Sequence, residues 1–137
     1  MTLNRPKPIV GVYEQPFWQY VRHREFRLQR CMNGHVRFPP GPRCPRCGSE
    51  ESEWQKLSGR GRLCSWTVFH RQYFPEMPAP YIVVSAELEE GPLLIADFVG
   101  QQERLVTGLQ LRLVFDECRS GDLDWVIYRW APADPVA

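Results

Sequence analysis

CMNGHVRFPPGPRCPRCG, Cys31 to Gly48, is the stretch from which the rest of the chain is read. Pro39, Pro40, Pro42 and Pro45 remove backbone donors and forbid a regular ladder, so something other than hydrogen-bonded strands must hold the segment. The Cys44-Pro-Arg-Cys47 spacing supplies it: two thiolates on one tight turn bind one ion while nearby N–H groups stabilise their charge. A second turn of the same kind would carry a cysteine at position 34, where glycine stands. The remaining donors are Cys31 and His35, which gives Cys31, His35, Cys44 and Cys47 as the ligand set for zinc. With every position taken by protein, such a site is structural and leaves no place for an activated water. The competing reading is a proline-stiffened loop that has lost its metal.

Working outward toward the N-terminus, Phe26 to Cys31 alternates like a strand. Before it, Pro16 suits a first helical turn, and Phe17, Trp18, Tyr20 and Val21 make a short amphipathic helix from Gln15 to about Arg24. That helix is too short to stand alone, so its aromatic side chains must pack on the knuckle, on the downstream domain or on another protein. Residues 1–12 carry Pro6 and Pro8 without periodicity and read as an extended arm, ordered only where it lies against something.

On the other side, Glu50 to Ser58 is polar apart from Trp54 and reads as a connection. From Gly59 the pattern changes to short strands bounded by turn residues. Cys64, Trp66 and Val68 define one apolar face of the first strand, and Ile82, Val84, Ala86 and Leu88 define one face of the second. Glu90-Gly91-Pro92 turns the chain into a third strand, Leu93 to Val99. A longer link with Gly100 and Gly108 leads to Leu109, Leu111, Leu113 and Phe115, and Ser120-Gly121-Asp122 turns that fourth strand into Leu123 to Trp130. Five strands with the longer link between the third and fourth outline an OB-fold barrel. The expected organisation is mainly β: arm and short helix at 1–26, zinc knuckle at 27–58, five-stranded barrel at 59–131 and a tail at 132–137.

Two strands carry apolar residues on both faces: Leu93 and Ile95 oppose Leu94, Ala96 and Phe98, while Trp125 and Ile127 oppose Val126, Tyr128 and Trp130. A barrel has one interior, so the second face must be covered by the N-terminal module or by a partner.

The 137 residues suit one modest core with a small module beside it, and no run approaches the ~18 apolar residues of a membrane span. The first ten residues lack the apolar stretch of a secretory signal, and the cysteine spacing suits a reducing compartment, so a cytoplasmic address is expected. A net charge of +1 conceals a basic N-terminal third, with Arg22, Arg24, Arg27, Arg30, Arg37, Arg43 and Arg46 opposed by Glu25. Such a patch suits phosphate, a nucleotide-bearing cofactor or an acidic protein surface.

The runs Leu28–Cys31, Gly34–Pro40 and Pro42–Gly48 resemble the rubredoxin-like zinc ribbon of a family of OB-fold proteins formerly catalogued as a domain of unknown function. Gly59–His70, Pro80–Val83 and Glu87–Gly91 resemble that family's barrel, and Pro16-Phe17-Trp18 its leading helix. The resemblance implies an accessory subunit, in hetero-oligomers, of thiolase-superfamily enzymes: acyl-CoA thiolases, thiolase-like aldolases and acyltransferases of lipid metabolism. In those assemblies the large subunit carries the catalytic residues, and the small one stabilises the complex and helps to shape the acyl-CoA site. This sequence departs from the family at Gly34, where a cysteine is missing from the first knuckle.

No residues of the chain read as catalytic. Cys64 and His70 lie about 20 Å apart along one strand at roughly 3.3 Å per residue, too far for a dyad. Cys64 reads as a buried small hydrophobe, Cys118 as a bystander at a turn, and His23 and His70 as lone histidines. Two rival functions remain. Single-stranded nucleic acid could stack on Phe69, Tyr73 and Phe74 beside Arg62, His70 and Arg71, although the barrel half is acid-rich. A stand-alone acyl-CoA binder would lay the acyl arm along Phe74-Pro75-Glu76-Met77-Pro78.

Overall fold

The structure, a computed structural model, describes residues 2–120 and 122–134. Gly121, in the turn expected at 120–122, and residues 135–137 of the expected tail lie outside the described residues.

Helix α1 spans Gln15–Arg22, with proline in its first turn, where a missing N–H costs nothing. It stops two residues earlier than expected because Arg24 takes a left-handed conformation (φ 61°). The Arg24 and Glu25 amides bond back to the Val21 and Tyr20 carbonyls (2.8 and 2.9 Å), closing the end in a Schellman arrangement. Strand β1 (Arg27–Cys31) pairs antiparallel with β2 (Val36–Arg37) and with β3 (Ser52–Lys56).

β3 corrects the reading of Glu50–Ser58 as a connection. It is polar because the ribbon has little interior, and its pairing with all of β1, Arg27↔Lys56 to Cys31↔Ser52, rests on backbone bonds that apolar patterning does not reveal. β2 likewise places a short ladder in a segment expected to have none.

The second sheet has the order β6-β5-β4-β7-β8, from β4 (Arg60–Phe69), β5 (Tyr81–Leu88), β6 (Leu93–Asp97), β7 (Gln110–Ser120) and β8 (Leu123–Pro132). A parallel bridge between Phe98 and Trp130 joins the two outer strands, with the Val99 amide on the Trp130 carbonyl at 2.8 Å. This closes the five strands into an OB barrel.

Ile82, Val84, Ala86 and Leu88 face inward as expected, the last three at 1% exposure or less. β4 does not keep the single phase read from its sequence. A bulge falls between Leu63 and Ser65, so Leu63 pairs with Ala86 and enters the core, while Cys64 is displaced and only half-buried. Beyond the bulge the even positions return to that face, Trp66 opposite Val84 and Val68 opposite Ile82.

Trp130 fills the barrel centre, fully buried, with its indole N–H donated to the Leu94 carbonyl at 3.1 Å. Room for it comes from Gly61, where a Cβ would stand 2.8 Å from the Trp130 ring and 2.9 Å from the Glu87 carbonyl oxygen. Phe17, which the sequence left open between core and interface, is core. It is 2% exposed and meets Phe26, Phe38 and Tyr128 edge to face at 5.4–5.9 Å, while Trp18 stacks on Tyr128 at 5.7 Å. The helix thus joins ribbon to barrel through one apolar cluster.

The arm does lie against something. The Leu3 amide donates to the Glu117 carbonyl and the Arg119 amide to the Leu3 carbonyl, both at 2.9 Å, which adds a short parallel bridge to β7 at Cys118. Arg5 then meets Asp97 at 3.1 Å.

Candidate metal centre

The ribbon brings its four donors together from two turns. In the first, Gly34 takes a positive φ of 85° and bonds its amide to the Cys31 carbonyl at 2.9 Å. The chain then doubles back, and the Cys31 amide meets the His35 carbonyl at 2.9 Å. In the second, Gly48 (φ 75°) donates to the Cys44 carbonyl at 2.8 Å. Glycine at position 34 therefore serves the turn, and the donor that a cysteine would have brought comes from the next residue, His35.

The donor atoms of Cys31, His35, Cys44 and Cys47 all lie within 4.8 Å of one another. Their spacing fits a tetrahedral ion: Zn–S bonds of about 2.3 Å imply sulfur–sulfur edges of about 3.8 Å, with sulfur–nitrogen edges a little shorter. Cys31 Sγ and Cys47 Sγ are 3.7 Å apart, and His35 Nδ1 is 3.5 Å from both Cys31 Sγ and Cys44 Sγ. Three thiols and an imidazole in this arrangement are suited to zinc.

The surroundings favour thiolate. The His35 amide donates to Cys31 Sγ and the Arg46 amide to Cys44 Sγ, each at 3.4 Å. The Asn33 side chain, then the Ser49 amide and His35, bring the Cys47 thiol down to about 6. Burial pushes Cys44 up, but the amides of Cys47 and Arg46 outweigh it and leave its thiol lowered. His35 is raised by its hydrogen bonds to Cys47 and Cys44, the signature of a ring that faces sulfur. Metal binding at such a site displaces protons from the thiols and the ring.

Asn33 was not singled out in the sequence, and Arg37, counted there in a basic patch, is buried instead. The Arg37 guanidinium is 4% exposed and donates to the Gly41 carbonyl at 2.9 Å, while Gln29 Oε1 receives the Gly41 amide at 2.9 Å. These two side chains clamp the proline-rich loop that leads into the second turn. The signal available was a charged residue and an amide inside the strand pattern of the ribbon.

The other candidates are dispersed. Cys118 lies within β7 rather than at a turn, buried and paired with Trp125. His23 and His70 are exposed, and the His23 ring contacts only the Gln19 carbonyl among the described residues. Phe69 lies flat on Tyr81 (4.9 Å, 6°) with Tyr73 against its edge, and Arg62 pairs with Glu87. One face of Phe69 is therefore covered within the chain, while Tyr73 and Phe74 remain exposed. Phe74 and Met77 of the loop border an apolar groove, together with Ile95, Ile127, Tyr128 and Trp18. No described helix is long and apolar enough to cross a membrane.

Comparison with known proteins agrees with this geometry. Residues 18–53 match the ChsH2 rubredoxin-like zinc ribbon domain, and residues 54–116 match the ChsH2 C-terminal OB-fold domain. A DUF35 domain-containing scaffold protein of Pyrococcus furiosus is 32% identical over 127 residues, covering 85% of this chain and 90% of that protein. The 3-oxo-4,17-pregnadiene-20-carboxyl-CoA hydratase alpha subunit of Mycobacterium tuberculosis is 31% identical over 117 residues. That match covers 85% of this chain, which spans only 36% of the larger protein. Among solved structures, a chain of the Ltp2-ChsH2(DUF35) aldolase superposes with a TM-score of 0.81 at 28% identity, covering 93% of this chain and 100% of that one.

Proposed function

The chain belongs to the DUF35 family of scaffold proteins, a rubredoxin-like zinc ribbon followed by an OB fold, and from that premise we propose that it is the non-catalytic accessory subunit of a thiolase-superfamily enzyme. The observation that carries this reading is the likeness to the chain of the Ltp2-ChsH2(DUF35) aldolase, which this protein covers from end to end. The name of that aldolase joins a DUF35 chain to a second component. The dispersal of the cysteines and histidines outside the ribbon supports the same reading, since Cys64, Cys118, His23 and His70 form no pair with one another among the described residues.

In this role the large subunit, an acyl-CoA thiolase, thiolase-like aldolase or acyltransferase, carries the reaction, and the small one stabilises the hetero-oligomer. The groove beside Phe74 and Met77 is open along its length, so an acyl-CoA ester meets this subunit only where the partner closes the other side. Cys31, His35, Cys44 and Cys47 hold zinc, which when bound cross-links the two turns of the ribbon. Ribbon (27–58) and barrel (59–131), joined through the helix aromatics, are the two modules of this subunit in a cytoplasmic complex of lipid metabolism.

Isolation from the native host, with the co-purifying subunit identified by mass, tests the reading. A thiolase-superfamily protein in defined stoichiometry is the expected result, with turnover of CoA esters residing in that protein and the complex more durable than the large subunit alone. Recovery of this chain by itself, monodisperse and active on a substrate unaided, would remove the proposal.

A further inference from the structure

The ribbon buries a positive charge that no acid of the chain neutralises. Arg37, on β2, is 4% exposed, and its guanidinium donates only through Nη2, to the Gly41 carbonyl at 2.9 Å and to Ser52 Oγ at 3.4 Å. Nε and Nη1 are buried without a hydrogen-bond partner among the described residues. The acids of the ribbon are turned elsewhere: Glu50 pairs with Arg43 at 2.6 Å, and Glu51 and Glu53 are exposed. An ionised group taken out of water without a counter-charge is costly, and arginine does not escape that cost by losing its proton.

The place of this cation in the sheet identifies its counterpart. Arg37 stands across β1 from Gln29, and Cys31 lies two residues further along the same face of that strand. Ser52, whose hydroxyl receives Nη2, is the direct partner of Cys31 on β3. Directly opposed residues have Cα atoms ~5 Å apart, so the guanidinium is on the order of 10 Å from Cys31. A divalent ion held by three thiolates and a neutral imidazole carries one net negative charge. At an effective dielectric of about 20, opposite unit charges at this separation attract by an amount worth roughly tenfold in an equilibrium constant.

We propose that Arg37 is the counter-charge of the metal centre: besides holding the proline-rich loop, it balances the net negative charge of the loaded Cys31, His35, Cys44 and Cys47 set. With zinc in place the buried cation faces an anion. Without zinc it has no counterpart, so Arg37 widens the difference in stability between loaded and metal-free ribbon. The inference concerns the ribbon alone and does not depend on the accessory-subunit reading.

The test is the zinc affinity of the full chain, read by competition with a chromophoric chelator while the charge of residue 37 and the charge of the site are changed in turn. Arg37→Gln keeps a donor for the Gly41 carbonyl and removes the charge, whereas Arg37→Lys keeps the charge. His35→Cys makes the loaded site more negative, and Cys47→His makes it neutral. The loss of affinity caused by Arg37→Gln should be roughly tenfold larger in His35→Cys than in the parent site, and roughly tenfold smaller in Cys47→His. The effect of Arg37→Lys should stay within about threefold across all three sites. A loss by Arg37→Gln that is the same in every site overturns the proposal and leaves Arg37 as a clamp of the loop alone. Two altered sites are used so that one comparison stands if the other site does not bind zinc. Arg37→Met takes the place of Arg37→Gln if hydrogen exchange finds the loaded ribbon of the latter unprotected. Failure of the unaltered chain to bind zinc would remove the metal centre and this inference with it.

Discussion

Cys118 is held where its thiol resists ionisation. Burial, the largest influence, drives it up to about 11, with Arg5 and Arg129 nearby opposing the rise and Asp116 adding to it. The thiolate is the nucleophile, so a thiol raised this far above its ordinary value is almost entirely protonated at pH 8. Iodoacetamide at that pH should leave Cys118 unmodified in the folded chain and alkylate it in denaturant, as read by peptide mass. Native alkylation at a rate comparable to the denatured chain would show that the arm does not cover it. A second single-residue prediction concerns Gly61, whose missing Cβ leaves space for the Trp130 ring against a backbone carbonyl. Neither neighbour yields easily, since one is the largest core side chain and the other is backbone. Gly61→Ala should destabilise the fold by roughly 1–3 kcal/mol, the usual range for overpacking, measured as a lowered urea midpoint.

At the scale of elements, the ribbon has three short strands and few buried apolar side chains, so its stability depends on whatever cross-links the two turns. Cys44→Ser combined with Cys47→Ser should release the metal, abolish amide protection around the two turns, and lower protection in β1, β2 and β3 more than in the barrel strands. Hydrogen exchange followed by mass spectrometry reads this, and unchanged ribbon protection in the double variant would show that the metal is dispensable. The same contrast explains what the sequence could reveal. β5 was legible because a core-lining strand carries apolar residues at every second position, and Ile82, Val84, Ala86 and Leu88 do so. β3 was not, because Ser52 to Lys56 is held by main-chain bonds to β1 and buries too little to leave a pattern. β4 was legible beyond its bulge and misread before it, since one inserted residue exchanges the faces of all residues on one side of it. The cluster of four donors was readable from spacing because donors on tight turns are local. The bonds of Arg5 and Arg129 to Asp97 connect residues 92 and 32 apart, and no local signal announces them.

For the whole molecule, the decisive feature is that ribbon, helix and barrel share one apolar cluster centred on Phe17, so what destabilises that junction is felt on both sides. Removing most of this side chain by Phe17→Ala should cost about 3–5 kcal/mol, as for other buried aromatics, and a single cooperative loss of both sheets is the expected thermal trace. Two separated transitions would mean that the units fold independently. The same architecture bears on ligands. A groove of about 350 Å³ has the volume of a small-molecule site, but its walls are a barrel face, the arm, the Phe74–Met77 loop and Trp18, and among the described residues it stays open to solvent. An acyl chain laid there would keep much of its surface in water, and only apolar area removed from water contributes, at about 25 cal/mol per Å². The isolated chain should therefore give no measurable heat with a CoA ester in calorimetry, whereas the same titration into the complex should. Micromolar binding by the isolated chain would mean that the groove closes on its own, and would favour a stand-alone acyl-CoA binder over a subunit that completes its site only in company.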